Sequence, residues 1–134
     1  MTRQAIDYAP IAHEHLDSVI RLCEIEQYPS YIQDAKRTWR ALTAPGVCTV
    51  VAIQDGRVVG FAQMQSDGLI QPHLTLIVVD RDLRRRGIAT QLVREAFVRC
   101  GGQRVDLLST EGADAFYRSF EHQEFPGFRI YPEL

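Results

Sequence analysis

Lysine is nearly missing from this chain: fourteen of its fifteen basic residues are arginine, and Lys36 is the exception. Acids outnumber bases by 17 to 15, for a formal net charge of -2. The broad positive bias of a general nucleic-acid binder is therefore lacking, no direct nucleic-acid partner is expected, and any anion site has to be local. Cysteine is scarce too. Cys23, Cys48 and Cys100 are odd in number, far apart and without a C-x-x-C pair, which argues against a disulfide framework and against a zinc site. No metal is expected, and the three thiols should stay reduced and pack as small hydrophobes. Long apolar runs are missing as well. The run "LTLIVV" at 74–79 falls far short of the ~20 residues that span a bilayer, and "MTRQAIDYAP" has no apolar stretch of the signal-peptide kind. These features predict a soluble, cytoplasmic protein with no membrane partner.

What is present suits one globular domain over residues 1–134, with 46% hydrophobic and 24% charged residues and no repeat or linker. "RQAIDY" reads as a short first strand that Pro10 ends. From His13 to about Ile25, Leu16, Val19, Ile20 and Cys23 recur at helical spacing. "QYPSY" breaks that helix, because the residue before a proline is pushed out of helical geometry. Asp34 can cap a second helix through Leu42, ended by Ala44-Pro45-Gly46. Two β-branched runs flank Asp55-Gly56 in "VCTVVAIQDGRVVGFAQMQ", which predicts an antiparallel hairpin. The nearly continuous apolar run at 73–79 predicts a strand buried on both faces. A helix over 87–100 with Ile88, Leu92, Val93, Ala96 and Phe97 inward follows, ended by Gly101-Gly102. "RVDLLS" reads as a strand, "ADAFYRSF" as a short helix and "FRIY" as a last strand. The order is β-α-α-β-β-β-α-β-α-β, a mixed α/β domain.

The stretch "DRDLRRRGIATQLVREAF" sets three arginines before a glycine and then runs on as a helix. A strand ending at Val79, a short loop and a helix start collect unpaired backbone N–H groups at one place, where the helix dipole also leaves partial positive charge. Gly87 and Ala89 let backbone approach a pyrophosphate, and arginines at the rim add bidentate hydrogen bonds. The competing reading is a solvated arginine cluster. It puts three positive charges at the positive end of a helix dipole with no anion to offset them.

Arg84, Gly87 and Ala89 fit the Q/R-x-x-G-x-G/A pattern, and the chain thereby resembles the GCN5-related N-acetyltransferases, as does its element order along essentially its whole length. The resemblance implies a mostly antiparallel central sheet flanked by helices, the acyl-CoA N-acyltransferase fold, with acetyl-CoA as acetyl donor. It implies that the pyrophosphate is held by backbone from Arg84 through Arg85, Arg86, Gly87, Ile88 and Ala89 to Thr90. The pantetheine arm would lie along Leu76, Ile77, Val78 and Val79. Arg81, Arg85 and Arg86 are candidates for the ribose phosphate or for solvent. Phe116-Tyr117 matches an aromatic pair of the family, so Tyr117 would protonate the departing thiolate. A backbone N–H around Val78 would polarise the thioester carbonyl. Two departures stand out: Glu121-His122 replaces a Gly-aromatic step, and Ser109-Thr110 stands where many relatives have asparagine.

Acylating an amine requires its neutral form. With a reference pKa of ~10.4, holding a lysine-like amine neutral at pH 7 costs about 4 to 5 kcal/mol, so a base or a water chain is useful. His73, at the head of the central strand, is the first candidate, the other reading being a surface histidine after Pro72. Glu24 and Glu26 come next, as base or as partner of a cationic substrate. Tyr28 and Tyr31, with Trp39 nearby, are expected either to shape the acceptor pocket or to pack a helix corner. His13 and His15 diverge on a helix and would not clamp a metal. The acceptor class stays open between a small-molecule amine and a peptide or protein amine. A non-catalytic acyl-CoA-binding regulatory module is the alternative function. "FRIYPEL" can complete the sheet or pair with a second copy to form a homodimer.

Overall fold

β-Branched residues crowd two stretches, and both become strands: β2 (Val47–Gln54) and β3 (Arg57–Gln65). Asp55 and Gly56 join them at φ 52° and 73°, the paired positive angles of a hairpin turn whose twist matches its strands. β1 (Asp7–Pro10) pairs antiparallel with β2, and β4 (His73–Val79) pairs antiparallel with β3, so the sheet order β1-β2-β3-β4 follows the chain. The computed structural model describes residues 5–133; Arg3 and Gln4 of the expected first strand lie outside the described residues.

Helices cover both faces of the sheet. α1 (Leu16–Ile25), entered through a 3-10 turn at His13–His15, and α2 (Ala35–Leu42) share one face. There Val19, Leu22, Cys23 and Leu42 pack with Val51, Phe61, Leu76 and Val78. α3 (Ile88–Cys100) takes the other face, where Ile88, Leu92 and Ala96, each four residues apart, meet Val50, Ala52, Val59 and Ala62. Neighbouring strand residues thus feed opposite cores, as the two-residue period of a strand requires. Each fully buried Val or Leu contributes about 1.5–3 kcal/mol, so the sheet is clamped from both sides. The expected breaks and caps form. Gln27 at φ 61° and a 3-10 turn at Pro29–Tyr31 end α1, and Asp34 accepts the Arg37 N–H at 3.2 Å to start α2. The cysteines are free thiols: Cys23 is buried, and Cys48 and Cys100 are half-buried. Among the described residues no helix is long and apolar enough to cross a membrane.

β4 departs from the expectation of burial on both faces, since His73 and Thr75 are exposed. The pairing shows why. Gln63 faces Leu76 and Met64 faces Leu74, which leaves Thr75 as the extra residue of a bulge. A bulge sharpens the local twist, and beyond it the outer edge of β4 is open. The expected "RVDLLS" strand shrinks to one parallel bridge, His73 with Asp106, in which Leu74 N–H donates to Asp106 O and Asp106 N–H to Pro72 O, both at 3.0 Å. α4 (Asp114–Arg118) follows. The expected last strand "FRIY" does not form: residues 121–133 carry no regular structure, and Phe128 and Ile130 are 83% and 80% exposed. Strand preference measures fit to a pleated, half-buried neighbour, and no strand lies alongside this segment.

Candidate active site

The open edge of β4 is one wall of a cleft of about 960 Å³. The start of α3, the loop from Glu26 to Tyr31 and the segment from Leu108 to Tyr117 supply the others. Asp80 N–H donates to Val59 O at 2.8 Å, which sets the alternation of the β3–β4 ladder. Opposite residues in an antiparallel pair exchange hydrogen bonds at every second position. Leu76 and Val78 therefore bond toward β3, while Ile77 and Val79 turn their N–H and C=O groups to the cleft. The N–H of Val78 itself faces Phe61, so the donors near it that are open to the cleft are those of Ile77 and Val79. Arg84 Nε donates to the outward Val79 O at 3.3 Å.

The turn after β4 is built locally. Asp80 Oδ1 accepts the Asp82 N–H at 2.9 Å, a 3-10 turn runs over Arg81–Leu83, and Leu83 is buried beneath it. Arg85 and Gly87 then take positive φ, 64° and 78°. Left- and right-handed residues in alternation turn successive N–H groups to one side, as in anion-binding nests. α3 starts without a side-chain cap, and the N–H groups of Ile88, Ala89 and Thr90 find no acceptor among the described residues. Open space lies where a Cβ of Gly87 would point. These donors fit a pyrophosphate, and the outward groups of Ile77 and Val79 fit an amide-bearing arm laid along β4.

The arginines divide. Arg84 and Arg85 line the cleft, whereas Arg86 is exposed and does not. Arg81 and Arg84 both reach Glu26 Oε1, at 2.9 and 2.8 Å. The hydrogen bond and charge of Glu26 hold Arg81 still more firmly protonated. Glu26 therefore lines the cleft as a partner of arginines, and neither as a free base nor as a free anchor for a cation. Glu24 is exposed and lies outside the cleft, because Leu22 and Cys23 take the inward positions of that turn of α1.

Tyr117 is half-buried on α4 and lines the cleft. Burial first, and the neighbouring Tyr28 second, push its phenol above the ordinary value of 10.0, so it stays protonated at neutral pH. Phe116 braces it edge-on at 5.1 Å and in turn meets Phe120 at 5.4 Å. His73 is exposed and lines the same cleft. Tyr28 and Tyr31 line it as well, but the Tyr31 hydroxyl donates to Gln63 Oε1 at 2.5 Å, and Thr38 Oγ1 donates to the Tyr31 carbonyl at 2.8 Å. Tyr31 thereby ties the loop to the sheet. Trp39 packs edge-on against His13 at 5.0 Å and does not line the cleft. His15 Nδ1 accepts the Ala12 N–H at 2.9 Å, a local turn contact. Thr110 lines the cleft, while Ser109 hydrogen-bonds Asp114. The sequence reading missed Arg129, which reaches the cleft from the irregular tail, and Gln63, a buried amide inside β3. Neither carries a local signal, since Gln63 reads as ordinary strand polarity and Arg129 as a surface charge.

Solved structures of similar fold cover nearly all of the chain. An aminoglycoside N-acetyltransferase, AAC(6')-Iy in complex with CoA, has a TM-score of 0.80 at 19% identity, covering 98% of this chain and 97% of that one. The ribosomal-protein-alanine N-acetyltransferase of Brucella melitensis biovar Abortus 2308 has a TM-score of 0.70 at 18% identity, covering 96% and 100%. A transcriptional regulator from Bacillus halodurans C-125 has a TM-score of 0.80 at 14% identity, covering 95% and 99%. At these identities the likeness concerns the fold. No curated protein matches the sequence. The sequence model of the acetyltransferase (GNAT) family matches residues 13–121. That span runs from the first helical turn through the bulged strand and the nest to the aromatic pair, and the chain accordingly belongs to the acetyltransferase (GNAT) family.

Proposed function

We propose that this protein is a cytoplasmic N-acetyltransferase, a single domain that moves the acetyl group of acetyl-CoA directly onto a primary amine. One observation carries the reading: the unpaired N–H groups at the start of α3 open into the same cleft as the Tyr117 phenol. Backbone from Arg85 to Thr90 would take the pyrophosphate, with Arg84 at the rim and the Ile77–Val79 edge along the arm. An amine brought beside the thioester attacks its carbonyl carbon. The C–N bond forms, the developing oxyanion is met by an N–H of Ile77 or Val79, and the C–S bond breaks as Tyr117 gives its proton to sulfur. The proton lost by the amine passes to His73, directly or through water. Arg86 and Arg81, outside the cleft, are left for solvent and Glu26.

Calorimetric titration with acetyl-CoA tests the cofactor half of this reading, with Gly87→Glu as the comparison. Micromolar binding that vanishes in the variant supports it, and a folded wild type that does not bind overturns it. A homodimer built through the exposed Phe128 and Ile130 belongs to the same reading; a purely monomeric boundary in sedimentation velocity at tens of micromolar would remove it.

The second reading, a non-catalytic acyl-CoA-binding regulator, draws on the family match ending at Glu121 and on the fold's likeness to a transcriptional regulator. Tight acetyl-CoA binding with no CoA release across a broad amine panel would favour it.

A further inference from the structure

The charges around the cleft are unevenly matched. Among the described residues that line it, Glu26 is the single carboxylate, and it is already held by Arg81 and Arg84. Arg84 and Arg85 belong to the turn before α3. The one cationic group on the opposite wall is Arg129, which has no ion-pair partner among the described residues. Its place follows from its neighbours: a Cβ at Gly127 would lie 2.3 Å from Leu108 Cδ2, so the bare glycine lets the tail lie against Leu108, itself a lining residue.

From this arrangement, and resting on the acetyltransferase reading above, we propose that the amine acceptor also carries a carboxylate, and that Arg129 pairs with it. A guanidinium offers a planar fork of donors that matches a carboxylate with two parallel hydrogen bonds. A polycationic amine would find no free carboxylate here and would face an unneutralised arginine. Tyr28 and Phe116 line the cleft too, which leaves apolar surface for the remainder of an amino-acid-like acceptor.

The experiment compares matched amines: lysine with cadaverine, phenylalanine with phenethylamine, and spermidine as the polycation. CoA release gives kcat/KM for each, in wild type, Arg129→Gln and Arg129→Glu, and calorimetry gives acetyl-CoA affinity alongside. The expected result is a preference of about tenfold or more for the carboxylated member of each pair, the size of a charge-assisted hydrogen bond. That preference should be lost in Arg129→Gln and reversed in Arg129→Glu, with acetyl-CoA affinity unchanged. Faster turnover of cadaverine or spermidine, or a preference that survives in Arg129→Gln, overturns this inference alone, whereas no turnover of any of these amines despite acetyl-CoA binding overturns it and also favours the non-catalytic reading. A wild type that fails to bind acetyl-CoA takes the acetyltransferase reading down with it.

Discussion

Glu26 Oε1 accepts hydrogen bonds from Arg81 Nε at 2.9 Å and from Arg84 Nη2 at 2.8 Å, so the end of α1 is tied to the turn that precedes α3. Those two segments are far apart in the chain and border the same cleft. The arginine side chains are more than half exposed, and exposed pairs contribute only ~0–1 kcal/mol to stability. The tie therefore acts through position. Glu26→Ala is expected to raise KM for acetyl-CoA by about threefold or more with kcat nearly unchanged, the pattern of lost uniform binding. Steady-state kinetics at two salt concentrations checks this; an unchanged KM would show that the turn holds its shape without Glu26.

Tyr117→Phe should lose at least about tenfold in turnover while keeping acetyl-CoA affinity, since the general-acid contribution goes and the packing stays. The pH dependence has a definite sign. The phenol is raised above 10.0 by burial and then by Tyr28, so the folded state favours its neutral form. The stability this group gives is fully present below pH 10 and is lost as pH rises through the higher folded value. Any alkaline limb of kcat due to Tyr117 must lie above pH 10, and a limb near pH 8 that disappears in Tyr117→Phe would contradict the assignment.

Gly87 adopts φ 78°, and a Cβ there would touch nothing within 4 Å. The cost of Gly87→Ala is thus conformational, about 1–2 kcal/mol, and should appear as a lowered denaturation midpoint with acetyl-CoA binding only modestly weaker. Gly87→Glu carries the same backbone strain plus a negative charge at the anion site, so its binding loss should greatly exceed its stability loss. Equal binding by the two variants would place the anion elsewhere.

Tyr31 is a structural brace. Its hydroxyl donates to Gln63, a residue 3% exposed, while Gln63 Nε2 reaches the Ala41 carbonyl at 3.5 Å. Removing that donor leaves a buried acceptor unsatisfied, at a cost of about 1–3 kcal/mol. Tyr31→Phe should therefore lower stability in urea titration, whereas Tyr28→Phe, lacking such a partner among the described residues, should act on kinetics and leave the midpoint in place.

The thiols give a chemical check. Burial, with Glu24 second, pushes Cys23 up to about 12, and burial, with Cys48 second, does the same for Cys100. The thiolate is the reactive form, so in native protein at pH 8 both should react with a disulfide reagent far more slowly than a free cysteine, and unfolding in urea should remove that protection.

Much of the fold was legible locally. Apolar spacing gave α1 and α3, the Asp34 cap and the Ala44-Pro45-Gly46 stop gave α2, and Asp55-Gly56 gave the hairpin, because each depends on a few neighbouring φ/ψ angles and a period. Arg84, Gly87 and Ala89 marked the turn for the same reason. Glu24 misled because helical spacing alone does not say which exposed side faces a cleft. "FRIY" misled because strand propensity is silent about whether an edge is available.

The sequence by itself determined the order of the elements from β1 to α3, the anion-binding turn before α3 and the family to which the chain belongs, all properties of short segments. Tertiary structure decided the rest. The extra residue at Thr75 is visible only once β4 is paired with β3, and that pairing selects Ile77 and Val79 as the residues whose backbone faces the cleft. Only the packed chain brings Glu26 to Arg84, Tyr28 to Tyr117 and Arg129 to the cleft wall. The reason is physical: backbone conformation is fixed by near neighbours, whereas register, charge pairing and burial are properties of groups that meet only when distant segments share a core.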